Sequence, residues 1–291
     1  MKEIGPQYEF DDSFKATARL HQSKYRAEVL GVDYLDYGNR LTDSDGRALL
    51  NYYDGLGIRS ALRKRYPDYA RRRDADLLRS EHIPFNMLAP FAGRPDLARK
   101  VIRDAFQQEL EGSFDLKFEW APEPKSVYLD DMTSFDAYIQ GVGADGELMG
   151  IGIEVKYTER GYRIGKSEKA RVDDPDSTYW ATTRESGLFT EESVSDLADD
   201  DLRQIWRNHL LGLAMVRRGD IKRFVSITLY PSGNVHFTHS LARYQDHLKD
   251  VERNSVIGCT FERFIECIRG AQEIKRWKQF LIERYLIEQS A

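Results

Sequence analysis

Cysteine is scarce in this chain, and long hydrophobic runs are missing altogether. Its 291 residues include two cysteines, Cys259 and Cys267, too few for the disulfide framework of small secreted proteins. No apolar run approaches the roughly 20 residues that a membrane-spanning helix requires. The first residues also lack the basic-then-apolar layout of a secretory leader. We therefore expect a cytoplasmic protein without a membrane partner.

Sequence signatures of several common enzyme classes are also missing. Gly141 to Gly143 opens no helix after a strand, so there is no dinucleotide-binding fingerprint. The phosphate-binding loop G-x-x-x-x-G-K-[ST] and the serine-hydrolase motif G-x-S-x-G do not occur. His236 and His239 with the two cysteines could be read as a zinc site, but their spacing matches no usual zinc finger.

Positive charge is concentrated locally although the net charge is -5. That balance disfavours a general nucleic-acid coat protein but not a DNA enzyme with a local basic surface. Between residues 59 and 73, one acid, Asp68, accompanies seven cations: Arg59, Arg63, Lys64, Arg65, Arg71, Arg72 and Arg73. Contacts to phosphates would add salt-dependent affinity, so we predict a DNA-binding segment. A solvated helix face is the alternative interpretation.

The hydrophobic spacing predicts a mixed sheet flanked by helices. Predicted helices cover residues 11–28, 57–73 with a break near Pro67, 77–93 as a short helix or pair, 95–110, 201–218 and 260–289. A buried strand at 224–230 is predicted to turn into a second strand at 235–238. Residues 30–57 are turn-rich and predict an exposed elaboration, and residues 160–200 predict a long loop or small insertion.

The clearest pattern lies at residues 133–159, which predict two strands joined around Asp145-Gly146. Successive strand side chains alternate between faces, so Glu154 and Lys156 emerge together, roughly 6.5–7 Å apart along the strand. Asp136 comes from the neighbouring strand. Two carboxylates and a lysine suit metal-assisted hydrolysis, and oxygen ligands suit Mg²⁺. The backbone carbonyl of Val155 could supply another ligand, whereas a strand-edge acid beside an exposed ion pair is the structural alternative.

Asp136 followed by Glu154-Val155-Lys156 resembles the motif of the PD-(D/E)XK nuclease superfamily, with Phe135 in place of the proline. That superfamily includes many restriction endonucleases, Holliday-junction resolvases and DNA-repair exonucleases. The resemblance covers roughly residues 77–238. The stretches LRSEHIPFN, SFDAYI, IEVKYTE and QIWRNHLL together are similar to an uncharacterised bacterial branch of restriction endonucleases.

The resemblance implies an α/β fold of the restriction-endonuclease type, with a central mixed sheet flanked by helices. It places an N-terminal helical elaboration at 1–76, the nuclease core at 77–240 and a C-terminal helical region packed on the core at 241–291. It further implies Mg²⁺, with Mn²⁺ as a substitute, held by Asp136, Glu154 and Val155. Two accessory residues are implied on helices before and after the sheet, Glu81 and Gln204, and Asn208 follows one turn after Gln204 on the same face. Each accessory residue could instead cap a helix or form a salt bridge.

The expected activity is hydrolysis of DNA phosphodiesters by a metal-dependent endonuclease that leaves a 5′-phosphate and serves restriction or phage defence. Three cations in the predicted insertion, Lys166, Lys169 and Arg171, would add DNA contacts. Double-strand cleavage with one site per chain suggests a homodimer. One alternative is a repair or recombination nuclease acting on branched or ended DNA, and another is a DNA-binding module whose site has decayed. Neither a recognition sequence nor a methyltransferase partner follows from the residues.

Overall fold

A computed structural model describes residues 2–161, 164–190 and 196–287 of the protein. The α-helices in these ranges are α1 (Ser13–Lys24), α2 (Asp43–Arg47), α3 (Ile58–Arg65), α4 (Arg71–Asp74), α5 (Ile83–Leu88), α6 (Pro95–Phe106), α7 (Lys166–Asp173), α8 (Thr178–Ser186), α9 (Arg203–Arg218), α10 (Val235–Asp246), α11 (Phe261–Cys267) and α12 (Gln272–Tyr285). The strands are β1 (Tyr34–Leu35), β2 (Tyr37–Leu41), β3 (Leu110–Trp120), β4 (Phe135–Gly143), β5 (Leu148–Val155), β6 (Arg223–Tyr230) and β7 (Val256–Thr260). Within the described ranges, no helix combines the length and the apolar character needed to cross a membrane.

The central sheet is mixed, as predicted. Among the described residues it has five strands in the order β3-β4-β5-β6-β7. The pairs β3–β4 and β4–β5 are antiparallel, and the pairs β5–β6 and β6–β7 are parallel. Parallel neighbours need a crossover connection, and α9 and α10 lie in the connections that lead to β6 and β7. The predicted α/β fold with a helix-flanked mixed sheet is confirmed.

The hairpin predicted around Asp145-Gly146 is formed by β4 and β5. Val142 pairs with Leu148 and Ala137 with Ile153. Gly146 has φ +78°, a left-handed conformation that glycine adopts without steric cost. The turn and the register together determine which β5 side chains share a face.

The two faces of β5 carry different side chains because strand residues alternate. Ile151, Ile153 and Val155 are buried in one hydrophobic core. The opposite face carries Gly150 and Gly152 and is covered by aromatic rings and by α9 in a second core. A Cβ at residue 152 would lie 2.5 Å from the Phe135 ring, so the missing side chain lets this layer pack closely on the sheet.

Several predicted elements differ in the structure. Residues 235–238 form the first turn of α10 instead of a strand, because Phe237, Leu241 and Tyr244 make a helical apolar stripe buried in the second core. The 160–200 segment contains α7 and α8, although its residues 162–163 and 191–195 lie outside the described ranges. In α8, Trp180 packs against Trp206 with ring centroids 4.6 Å apart.

Element boundaries also shift. The predicted helix at 57–73 divides into α3 and α4 around Pro67. Helix α6 stops at Phe106 instead of residue 110, because Gln107 takes a left-handed conformation with φ +55° and the chain enters β3. Strands β1, β2 and β7 were not predicted, and the expectation that residues 30–57 are exposed was wrong, because Leu41, Tyr52 and Leu56 are buried. Helix α12 ends at Tyr285, and residues 288–289 of the predicted C-terminal helix lie outside the described ranges.

Candidate active site

Asp136, Glu154 and Lys156 lie together at one end of the β4–β5 hairpin. Continuing the register by one step beyond Ala137–Ile153 puts Asp136 opposite Glu154. The Val155 N–H donates a hydrogen bond to Asp136 Oδ2 at 2.7 Å. Lys156 Nζ lies 2.7 Å from Glu154 Oε1, and both side chains are about nine-tenths buried. The structure therefore brings the three predicted side chains into one cluster.

Helix α9 covers this cluster and positions Glu154. Gln204 Nε2 donates to Glu154 Oε1 at 2.6 Å, and Asn208 Nδ2 donates to Glu154 Oε2 at 2.9 Å. The two amides reach the same carboxylate because residues four apart lie on one face of a helix. Both carboxylate oxygens of Glu154 are thus held by hydrogen bonds, which determines the orientation of that side chain.

Glu119 is a further acid near this cluster that the sequence reading missed. It lies in β3 between Phe118, which pairs with Ala137, and Trp120, which pairs with Phe135, so it faces Asp136 across the ladder. Its φ of +48° is unusual for a residue other than glycine and is typical of strained functional positions. Arg65 donates to the Phe118 and Glu119 carbonyl oxygens at 3.1 and 3.0 Å. The available sequence signal was an acid between two aromatic residues at the end of a strand.

The cluster concentrates negative charge in a poorly solvated place. Burial, followed by the charges of Glu154 and Glu119, raises the pKa of Asp136 well above its usual range. Burial and the Glu154 charge raise the pKa of Glu119 to about 7. Burial lowers the pKa of Lys156, but attraction to Glu154 and Asp136 outweighs it and leaves that pKa above its ordinary value. Such an arrangement favours a bound cation.

A family model for the PD-(D/E)XK nuclease superfamily matches residues 9–287. The chain belongs to this nuclease superfamily. No curated protein and no solved structure matches the chain. The match extends well beyond the 77–238 region in which the motif was recognised. The N-terminal and C-terminal helices are therefore part of the family unit.

PD-(D/E)XK nucleases generally use divalent metals, and the oxygen donors here fit such an ion. Divalent metal ions bound through oxygen take carboxylates together with carbonyl oxygens and waters, and Asp136, Glu154 and the Val155 carbonyl are donors of these kinds, two of them carboxylate side chains. Among the described residues, no group of three or more His, Cys, Asp and Glu side chains is arranged to hold a metal ion. The zinc alternative has no such cluster: His236 and His239 lie in α10, and Cys259 and Cys267 lie in β7 and α11.

Glu81 lies beside the cluster, in the turn before α5 instead of in a helix. Helix α5 begins only at Ile83, followed by Pro84 in its first turn, where proline is well tolerated. Arg72 Nε lies 2.8 Å from Glu81 Oε1, and Arg79 Nε lies 3.4 Å from Oε2. Burial raises the pKa of Glu81, and the charge of Glu159 adds to this effect.

Only part of the predicted DNA-binding segment, residues 59–73, lies at the surface. Arg73 is buried and forms an ion pair of 2.8 Å with Asp74, which places it in the fold and not on a DNA-facing surface. Arg71 pairs with Asp43 at 2.5 Å, and Arg59 pairs with Asp54 at 3.2 Å. Exposed or partly exposed cations remain in α3 and α4: Arg63, Lys64, Arg65 and Arg72.

Proposed function

We propose that the protein is a Mg²⁺-dependent DNA endonuclease, with Mn²⁺ as a substitute, acting in restriction or phage defence. Supporting this proposal is one observation: Asp136, Glu154 and Lys156 meet on adjoining strands, with Glu154 oriented by Gln204 and Asn208. Two carboxylates and a lysine of this kind suit metal-assisted hydrolysis of a phosphodiester.

Each residue has a role in this proposal. Asp136, Glu154 and the Val155 carbonyl would hold the cation, which when bound lowers the pKa of an attacking water and offsets charge on the phosphate. Lys156 keeps its proton near neutral pH because its pKa is raised. Lys156 would orient or help deprotonate the attacking water and offset the negative charge that develops on the phosphate.

The main alternative is a repair or recombination nuclease acting on branched or ended DNA. Both activities use the same cluster, so the form of the DNA substrate distinguishes them. A binding module with a decayed site is less well supported, because the three side chains are present and assembled. Cleavage of both strands with one site per chain would use a homodimer.

The test is cleavage by the purified protein of supercoiled plasmid, linear duplex and four-way-branched DNA, with Mg²⁺, Mn²⁺ or EDTA. We expect metal-dependent plasmid cleavage that falls at least about 100-fold in Asp136→Asn, Glu154→Gln and Lys156→Ala. The matched control is Lys117→Ala. Lys117 forms an ion pair with Asp115 at 3.3 Å in β3, which is another acid-x-lysine pair on a strand.

Unchanged cleavage in Lys156→Ala, or equal loss in Lys117→Ala, would overturn the assignment. Strong preference for branched or linear DNA over plasmid would support the repair alternative. Absence of cleavage with DNA binding retained would support the decayed module.

A further inference from the structure

A cavity outside the candidate active site is lined by arginines. This cavity of about 390 Å³ opens between β2, α4 and the residues that follow α4. Its charged lining comprises four arginines and two aspartates: Arg40, Arg71, Arg72, Arg79, Asp36 and Asp76. Leu41 and Ala75, both essentially fully buried, also line it. The cavity therefore combines convergent guanidinium groups with an apolar base.

The charge of this lining suits a dianion. The lining itself has four arginines and two aspartates, of which Asp36 and Asp76 lie 3.5 and 3.7 Å from Arg40. The other three arginines are balanced by Asp43 and Glu81 outside the lining, so a bound dianion would replace a carboxylate partner. A phosphate monoester carries about −1.5 to −2 at pH 7. Guanidinium forks bind phosphate oxygens in pairs, and an apolar base strengthens such contacts by reducing solvent screening.

The arginines of the cavity are already paired, and the pairs differ in strength: Arg71 holds Asp43 through two hydrogen bonds, at 2.8 and 2.5 Å, whereas Arg72 and Arg79 share one partner, Glu81. Arg71 pairs with Asp43, and Arg72 and Arg79 pair with Glu81, outside the cavity lining. The Arg72 side chain is 67% exposed and the Glu81 side chain 33% exposed. Exposed pairs of this kind contribute about 0–1 kcal/mol, so a dianion can compete for these guanidinium groups.

Glu81 connects the cavity to the candidate active site. It accepts from Arg72 and Arg79 on the cavity side. Its charge also acts on Glu119, the acid that faces Asp136. In addition, Ser80, the residue before Glu81, donates from its hydroxyl to Glu159 at 2.9 Å, just beyond β5. Glu81 thus links the arginines of the cavity to the acids of the cluster.

We propose that this cavity binds the terminal phosphate monoester of a nucleic-acid strand. The terminal group is preferred over an internal diester because it carries a second negative charge, which a second guanidinium group of the lining can bind. The nucleic-acid identity of the ligand rests on the proposed function, and binding of the phosphate itself does not. Hydrolysis that leaves a 5′-phosphate also generates such a terminus at every cut.

The test uses the full chain with Lys156→Ala in EDTA, so that binding is measured without cleavage. Fluorescence anisotropy compares one short oligonucleotide with a 5′-phosphate, a 3′-phosphate or hydroxyl ends. We expect one phosphorylated form to bind about tenfold or more tightly than the hydroxyl form, as for loss of one charge-assisted hydrogen bond. Inorganic phosphate should abolish that preference.

Substitutions of two cavity arginines and of their shared partner Glu81 test whether the phosphate preference arises in this cavity. Arg79→Gln and the more exposed Arg72→Gln should remove the phosphate preference, with folding checked by thermal melting. Glu81→Gln should strengthen it, because Arg72 and Arg79 lose their competing partner. The matched control is Arg217→Gln, an arginine 52% exposed and paired with Glu185 at 2.7 Å on α9.

Equal binding of all three oligonucleotides, or equal loss in Arg217→Gln, would overturn the proposal. Its failure is distinguishable from failure of the nuclease proposal: a phosphate preference can persist in a protein that cuts nothing, and cleavage can occur without any phosphate preference.

Discussion

At the scale of single residues, the candidate site is a set of acids whose negative charges repel each other unless a bound cation or a proton neutralises them. Glu119, Asp136 and Glu154 come from three adjacent strands, and the pKa values of Glu119 and Asp136 are raised by burial and by neighbouring negative charge. Repulsion between charged side chains at functional sites often lowers the stability of the folded protein. Glu119 is the member whose pKa lies near neutrality.

Glu119→Gln should stabilise the metal-free protein at alkaline pH. The folded pKa of about 7 lies above the ordinary 4.5, so the folded state holds this proton more tightly than the unfolded state does. The proton on Glu119 therefore contributes to the stability of the folded protein. This contribution is fully present below pH 4.5 and is lost as the pH rises through about 7. Because glutamine stays neutral, the variant should melt a few degrees higher than the parent at pH 8 and show little gain at pH 5, measured by thermal melting in EDTA.

The control for this prediction is Glu111→Gln, an exposed acid in the same strand. A melting temperature that rises equally in both variants, or that rises as much at pH 5 as at pH 8, would contradict the electrostatic explanation for Glu119.

At the scale of elements, the packing of α9 on the sheet determines the geometry of the site. Gly212 of α9 meets β6 so closely that a Cβ there would lie 2.1 Å from the Phe224 ring. Gly152 makes similar room in β5. These glycines bring α9 near enough for Gln204 and Asn208 to reach Glu154.

Gly212→Ala should therefore destabilise the protein, although alanine favours helices by about 1 kcal/mol over glycine. Overpacking against Phe224 should cost more, for a net loss of about 1–3 kcal/mol in urea unfolding. Gly93→Ala is the control, because a Cβ there meets no atom within 4 Å and should change stability by less than about 0.5 kcal/mol. A Gly212→Ala protein as stable as the parent would show that α9 can shift on the sheet without cost.

At the scale of the whole molecule, the ends of the chain share one core with the sheet. The first hydrophobic core runs from Ala18 in α1 to Tyr285 in α12. Buried Arg284 donates to Asn51 Oδ1 at 2.9 Å and to the Leu77 carbonyl at 3.1 Å. Gln22 Nε2 donates to the Arg284 carbonyl at 2.8 Å. The N-terminal and C-terminal segments are therefore tied to each other and to the middle of the chain.

A fragment of residues 77–240 should not fold by itself, although it contains every residue of the Asp136–Glu154–Lys156 cluster. It lacks β7, which closes the parallel side of the sheet, and it lacks Trp277 and Tyr285 of the first core. We expect no near-ultraviolet circular dichroism and no cooperative melting, whereas residues 9–287 should retain both. A cooperatively folding 77–240 fragment would show that the terminal segments are accessory.

The sequence by itself determined the β4–β5 hairpin and the shared face of Glu154 and Lys156, because turn chemistry and period-two alternation are local properties. It also predicted the helix that carries Gln204 and the mixed sheet. Only the tertiary structure decided that Gln204 touches Glu154, fifty residues away in the chain. The helix at 235–238 was missed although its apolar stripe is a local pattern. Glu119 beside Asp136 and the burial of Arg73 were likewise decided only by the tertiary structure, because they depend on which distant surfaces pack together and no local pattern in the sequence encodes that choice.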